Sequence, residues 1–498
     1  MRIRRCSLAI NLYFETEILC THLMKTDTST ALAQPYRAFK WGFGLWLVAA
    51  FVVLFLSTVL ITASLVRYAM TVPHRHLTEG EAQMVITVAA FPGLVVAALQ
   101  DLSISGFSSA LLLDRKATER PNWVRRFPAP EDTGYLLFSG IDPVAKKSLV
   151  QLIRIADGHV VAQWSPDWKA IYDKTSDKKW ESKGNVRRLH AVHPLLLAGG
   201  DIVFNTAAAL VRLSTCSMQP VFVLDRIMHH SLELDESGSA IWGPSVAQDG
   251  ITENAYLNEA IRDDSLAHVS LNGQVLENRS FSRILLDNGL GVLLLGHFGA
   301  TFNFDPIHIN QIQVAKNDSR FWLRGDLLIS AAQMNTLFLY RPSTNKIIWH
   351  QTGPWMKQHS AEFVGDHSIS VFDNNVVTPG PKGQEFFTLS DTNRVMVYDF
   401  ETRQVTEPFA ALLAVARPLT TFAGRARVLP DGGLFVEETE QGRHLRFSAD
   451  RLLWSRVNDF DAKRIGIVAW SRYLTADEAS VPLTALSAQK CPSTRPNP

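Results

Sequence analysis

The hydrophobic rhythm of the chain changes twice. From Trp41 to Val66 the run WGFGLWLVAAFVVLFLSTVLITASLV carries no charge and is long enough to cross a bilayer as a helix. A cleaved leader has a shorter apolar core, so this run predicts an uncleaved anchor. A second apolar run, Met84 to Leu99, is short and broken by Pro92, and predicts a membrane-proximal helix. Past about Thr133 the pattern becomes short Val/Ile/Leu/Phe/Trp runs between Asp, Asn, Gly and Ser turns, which predicts strands.

One turn recurs: a polar pair with Asp, Asn or Gly, then an apolar strand that often ends in Trp. Copies are ADGHVVAQW (156–164), LNGQVLENR (271–279), STNKIIWHQ (343–351), FETRQVTEP (400–408) and SADRLLWSR (448–456), with a degenerate sixth, TCSMQPVFVLD (215–225). A period of roughly 50–70 residues suits four-stranded sheets with insertions, the unit of a β-propeller. Six copies predict six blades, the main insertion falling at Ser245–Ser265. The run RIGIVAWSRYL (464–474) is positioned to close the ring on the first blade. The alternative is a β-sandwich. The predicted fold is all-β, a six-bladed β-propeller preceded by a transmembrane helix. Residues 1–40 would be cytoplasmic, 41–66 the anchor, 67–130 a helical linker, 131–475 the propeller and 476–498 a tail.

Charge sets the orientation. Arg2, Arg4, Arg5, Lys25, Arg37 and Lys40 precede the anchor, and only Arg67 and Arg75 follow it closely. The positive-inside rule then keeps the N-terminus in the cytoplasm and exports the rest, predicting a single-pass membrane protein with its large domain outside the cytoplasm. Over the whole chain 49 Lys and Arg balance 48 Asp and Glu, so nothing in the net charge calls for nucleic acid. Cys6, Cys20, Cys216 and Cys491 are too sparse to predict a disulfide framework or a cysteine zinc site.

The polar residues at strand starts carry the chemistry. The order His-Ser-x-Glu-apolar occurs at His230/Ser231/Glu233 and again at His359/Ser360/Glu362. Alternation along a strand puts His230 with Leu232 and Leu234, and His359 with Ala361 and Phe363. Each histidine then stands at the mouth end of an innermost strand. His193, before PLLLAGGDIVF, and His308, opening HINQIQVA with Asn310 beside it, hold related places. His229, the first of the pair, reads as structural. A lone strand-start histidine is more often a hydrogen-bonded structural group; the recurrence argues for a shared funnel. No carboxylate or H-x-x-x-H spacing accompanies these residues, so no metal or cofactor is expected. A neutral imidazole can instead be a nucleophile, with neighbouring His and Asn donating to charge on a transferred group.

The segments HHSLELDESGSAIW, DPIHINQIQ, GDLLIS…NTLFLYRPSTNKIIWHQTGPWMKQHSAEF with SISVFDNN, and RVLPDGGLFVEET resemble the bacterial arylsulfotransferases over roughly Leu189–Trp454. The resemblance implies a six-bladed periplasmic propeller that moves a sulfuryl group from an aryl sulfate donor to a phenolic acceptor, through a sulfated histidine and without a nucleotide donor. It implies His359 as nucleophile, His230 and His308 as catalytic partners, and Asn310 and Thr421 at the substrate. His193 is added to the substrate-binding group by its place in the funnel. Two positions depart from the family pattern. Ala332 stands where an Arg is usual, and Ser360 follows the nucleophile where Asp is usual. These departures keep a second reading open: a catalytically silent propeller that binds a ligand or partner in its funnel.

Overall fold

The six turn motifs all occupy one structural place, the hairpin between the third and outermost strands of a blade. In five of the six the turn contains a left-handed residue: Gly158, Met218, Gly273, Asn345 and Arg403. In five blades the third strand also shifts register beside this hairpin, a one-residue bulge that bends and twists the sheet. The computed structural model describes residues 36–71 and 112–489, apart from 121–122, 144–146, 177–189, 207, 248–249, 254–257, 259–260, 297–304, 378–386 and 422.

Six four-stranded antiparallel sheets form the ring. From the inside outward, blade 2 is Val192–Leu196, Ile202–Asn205, Leu210–Leu213 and Pro220–Leu224. Blades 3 to 6 begin on Glu233–Leu234, Ile309–Val314, Ala361–Val364 and Arg425–Val428. Blade 1 is composite. Its outer strands, Tyr135–Asp142, Lys147–Arg154 and Val160–Trp164, come first in the chain, and its inner strand, Arg472–Leu474, comes last. Leu136 pairs with Tyr473 and Leu137 with Arg472. The closure expected from residues 464–474 is therefore made by their last three.

The core is divided into wedges. Six hydrophobic clusters each draw on two adjacent blades, such as Phe204 with Leu137 and Leu328 with Val371. This explains the strand-ending tryptophans. Trp164 of blade 1 donates its indole N–H to Thr215 of blade 2 at 3.0 Å, and Trp454 of blade 6 donates to Asp132 before blade 1 at 2.7 Å. Trp349 of blade 4 packs on Tyr398 and Phe400 of blade 5.

Ion pairs, one buried and one largely so, link the innermost strands of different blades. Arg472 of the closing strand bonds Glu233 of blade 3 at 3.0 Å and the carbonyl of Pro194 in blade 2 at 2.8 Å. Arg425 of blade 6 bonds Glu362 of blade 5 at 2.7 Å.

The apolar run lies on a helix, Tyr36–Thr71, in a unit separate from the propeller. Trp46–Ser64 is apolar enough to span a membrane, with mean hydropathy 2.5; 19 residues make a helix of about 28 Å. Met84–Leu99 lies outside the described residues. Within the expected linker, Leu112–Asp114 is a strand paired with Arg464–Gly466, not a helix. The expected tail opens as a helix, Ala476–Ala488, with a Thr475/Glu478 capping box. Cys216 is disulfide-bonded, a link its spacing did not predict; Cys491 lies outside the described residues.

Arg472 tests the closure. Arg472→Met removes one partner of a buried pair and should cost about 3–5 kcal/mol in urea unfolding. Arg472→Met combined with Glu233→Met should recover part of that loss. A single-variant cost below about 1 kcal/mol would mean that the pair does not hold the ring.

Candidate active site

Every innermost strand is entered through a left-handed residue at or just before its start: His193, His230, His308, Lys357, Gly424 and Trp470 for blades 2, 3, 4, 5, 6 and 1. Non-glycine residues seldom adopt this conformation, and when they do they cluster at functional sites. Here it turns the backbone at the mouth of the channel. Three of the six residues are histidines, and His359 follows Lys357 by two positions.

The rings converge. The His230 ring centroid is 5.0 Å from His308 and 6.2 Å from His359, so blades 3, 4 and 5 each contribute one imidazole. His229 stands edge-on to His230 at 5.1 Å. Trp470 lies 5.6 Å from His230, 6.3 Å from His359 and 5.5 Å from His193, joining the closing strand to the cluster.

Neighbouring groups set the tautomers. Asn374 donates its amide to the carbonyls of Thr420 (3.0 Å) and Ala423 (2.8 Å). Its Oδ1 must therefore accept from His359 Nδ1, at 2.7 Å; the Lys357 carbonyl, a second acceptor, lies 3.2 Å from the same nitrogen. Nδ1 of His359 carries the hydrogen and Nε2 the lone pair. His308 is held likewise, with Nδ1 2.6 Å from Asp305 Oδ2. His229 and His230 approach Nδ1 to Nδ1 at 2.9 Å, and His229 Nε2 lies 3.3 Å from Asp264 Oδ1.

The other expected site residues stand one layer back. Asn310 is fully buried and donates to the Gln358 carbonyl at 2.8 Å, bracing the segment that carries His359. Thr421 donates its hydroxyl to Glu440 at 3.2 Å, on the loop that fixes Asn374. His193 has both ring nitrogens engaged, by the Leu232 N–H (2.9 Å) and Arg472 (3.1 Å) on Nδ1 and by Arg425 on Nε2. It acts as a brace beneath Trp470, with no ring nitrogen left for a substrate. Ala332 donates its N–H to the His308 carbonyl at 3.0 Å, and the neighbouring Gln333 accepts from the Lys357 ammonium.

Asn374, Asp305, Asp264, His229, Lys357 and Trp470 escaped the sequence reading as site residues. The doubled Asn of FDNN and the Asp three before His308 were visible signals. Asp264 and Trp470 come from other strands, and nothing local announces them. Among the described residues no group of three or more His, Cys, Asp or Glu is arranged to hold a metal ion.

A family model described as Arylsulfotransferase (ASST) matches residues 193–458, more than half of the chain. No curated protein matches it. Solved structures with similarity include a protein of unknown function from Bacteroides caccae (11% identity, TM-score 0.41, covering 69% of this chain and 99% of that one). Others are Kuenenia stuttgartiensis hydrazine synthase (9%, 0.35, 66% and 80%) and the Neurospora crassa Pan2 WD40 domain (9%, 0.36, 73% and 93%). At these levels they carry no argument about this chain.

Burial dominates the electrostatics. It pushes the His230 pKa well below the usual imidazole range, reinforced by His308, His229, His359 and Arg262. Burial also lowers His193 and brings His190 to about 4; in His444 it outweighs the hydrogen bond to Glu437. His230, His193 and His190 therefore stay neutral when folded, while in the unfolded chain they protonate near pH 6.5. Their contribution is present above that pH and is lost as the pH falls below it, by about 1.4 kcal/mol per pH unit for each. The urea midpoint should therefore fall between pH 7.5 and 5.5, and His190→Leu should flatten that slope by one histidine's share. A midpoint that rises on acidification would contradict the neutral assignment.

Proposed function

The chain belongs to the arylsulfotransferase (ASST) family, and on that premise we propose that its funnel moves a sulfuryl group from an aryl sulfate to a phenolic acceptor through a sulfated His359. The observation that carries this reading is the Asn374 amide, whose two carbonyl partners force it to accept from His359 Nδ1. The lone pair on Nε2 is then the nucleophile. It attacks sulfur as the S–O bond to the donor's aryl oxygen breaks. The acceptor's oxygen next attacks the same sulfur, and the N–S bond breaks to restore the imidazole. His308, fixed by Asp305, and His230 flank the transferring group, and Asn310 and Thr421 hold the supports of His359 and Asn374 in place.

Lys357 supplies positive charge. It bonds Gln333, next to Ala332, and is within Coulombic reach of Asp305, the partner of His308. Burial lowers its pKa against that carboxylate, so its charge is poorly solvated and interacts strongly with a sulfuryl oxygen. An ammonium at this place offsets the lack of a guanidinium at 332.

The propeller is read as periplasmic and anchored in the inner membrane by the helix around Trp46–Ser64. The flanking charge asymmetry supports this orientation, and the disulfide at Cys216 fits an oxidising compartment. A silent binding propeller remains the second reading, favoured by Ala332 and Ser360 in place of the family's Arg and Asp.

Incubation with 4-nitrophenyl sulfate and a phenol decides between them. The wild type should release nitrophenol faster when the phenol is present, and intact mass after alkaline quench should show one sulfuryl group on His359. His359→Ala should abolish both; turnover that survives it would remove the nucleophile assignment, and a wild type inert to aryl sulfates would leave the binding propeller. Lys357→Gln should lower kcat by about 10²-fold with little change in KM. Ala332→Arg placed in the Lys357→Gln background should restore at least part of that loss, since either cation serves the same oxygen.

A further inference from the structure

Adjacent residues of an extended chain point to opposite sides, yet His229 and His230 touch. The left-handed turn at His230, φ 57°, swings its ring back against its neighbour at 84° between planes. With 2.9 Å between the two Nδ1 atoms, one hydrogen is shared: one nitrogen donates and the other accepts. The far nitrogen of His229, Nε2, is buried and faces Asp264 Oδ1 at 3.3 Å. Neither atom has a hydrogen bond of good geometry among the described residues, so each is the other's nearest way to be satisfied. Asp264 is fixed by its other oxygen, which accepts the Ile309 N–H at 2.6 Å; the Arg262 guanidinium stands 3.7 Å from Oδ1. Carboxylate, imidazole and imidazole thus form a chain ending at His230, whose ring lies 5.0 Å from His308 and 6.2 Å from His359.

We propose that Asp264, His229 and His230 form a proton relay, in which His229 stores beside Asp264 the proton that His230 gives to the departing aryl oxide and recovers from the acceptor phenol. The inference rests on the sulfotransfer reading above. In the loaded state His229 holds hydrogens on both nitrogens. Its Nδ1–H donates to His230 Nδ1, and His230 Nε2–H faces the substrate. As the S–O bond breaks, that hydrogen passes to the aryl oxygen, and the His229 hydrogen crosses to His230 Nδ1. His229 is then neutral, with Nε2–H toward Asp264. When the acceptor phenol attacks, its proton enters at His230 Nε2 and the line shifts back. One proton leaves in the first half-reaction and one returns in the second.

The arrangement answers a difficulty in the site. His230 by itself is a poor place for a stored charge, being buried and faced by His308, His229, His359 and Arg262, with the Trp470 ring as its other near neighbour. Shifting the charge one ring back places it against a carboxylate. His229 is on this account a positioning and proton-storing residue, while His230 meets the substrate.

The test uses the detergent-solubilised full chain and two donors, phenyl sulfate and 4-nitrophenyl sulfate. Phenolate is strongly basic and needs a proton as it leaves; nitrophenolate needs it much less. His229→Gln keeps a side-chain amide to hold His230 but cannot pass a proton. It should lower turnover of phenyl sulfate by about 10²-fold or more and of 4-nitrophenyl sulfate by only about 3-fold, the contrast the lost acid catalysis requires. Equal losses on the two donors, or full activity with both, would overturn the relay. A second readout is independent of turnover. In histidine-labelled protein the shared Nδ1 hydrogen should give a strongly downfield proton signal, present in the wild type and absent in His229→Gln. If the wild type turns over neither donor, the sulfotransfer reading falls, while the signal still reports the shared hydrogen. If the signal is missing from an active wild type, the relay falls and the sulfotransfer reading stands.

Discussion

Three residues at the end of the ring, Arg472–Leu474, hold together what the other five blades present. Their pairing with Tyr135–Leu137 joins the C-terminal end of the propeller to its first blade. Without it the open sheets would expose two unpaired edges and two unmatched hydrophobic wedges. Closure also fixes the funnel. Trp470, two residues before Arg472, lies against His193, His230 and His359. Arg472 itself reaches across to blades 2 and 3. The same short segment thus completes the sheet, pairs with the largely buried Glu233 and, through Trp470, walls the histidine cluster.

On the proposed reading, the chemistry depends on which nitrogen of each imidazole carries the hydrogen. A buried ring avoids charge because desolvation penalises the protonated form, so the partner on Nδ1 decides what Nε2 can do. His359 has an amide oxygen there, His308 a carboxylate and His230 another imidazole. A neutral amide stabilises an imidazolium less than a carboxylate does, which suits the proposed nucleophile. A carboxylate stabilises an imidazolium, at His308 directly and at His229 behind His230, which suits the proposed proton transfer. Three histidines of similar environment are separated in role by what stands behind them.

Much of this was legible along the chain. The turn copies are readable because most repeat the same local demands, a left-handed turn and a bulge beside it, and such demands leave their mark in Gly, Asn and Asp. The histidines were readable because they too recur at one place in the blade, the entry of an innermost strand. The placement of His193 as a brace has a clear cause. Its backbone position matches that of His230 and His308, but Arg425 of blade 6 and Arg472 of blade 1, both from the C-terminal end of the propeller, occupy its nitrogens, and no sequence pattern links those residues.

The sequence by itself determined the number of blades, the apolar helix, the closing segment and the set of inward histidines, since each follows from periodicity or composition within a few tens of residues. Only the tertiary structure decided that His193 is a brace, which nitrogen of His359 carries its hydrogen, and that Asp264, Asp305, Asn374 and Lys357 stand around the histidine cluster. Those facts depend on contacts between blades: Asn374 is held by Thr420 and Ala423, and Asp264 reaches Ile309. Closing a ring brings such residues within 3 Å, whereas the spacing of side chains along any one strand cannot.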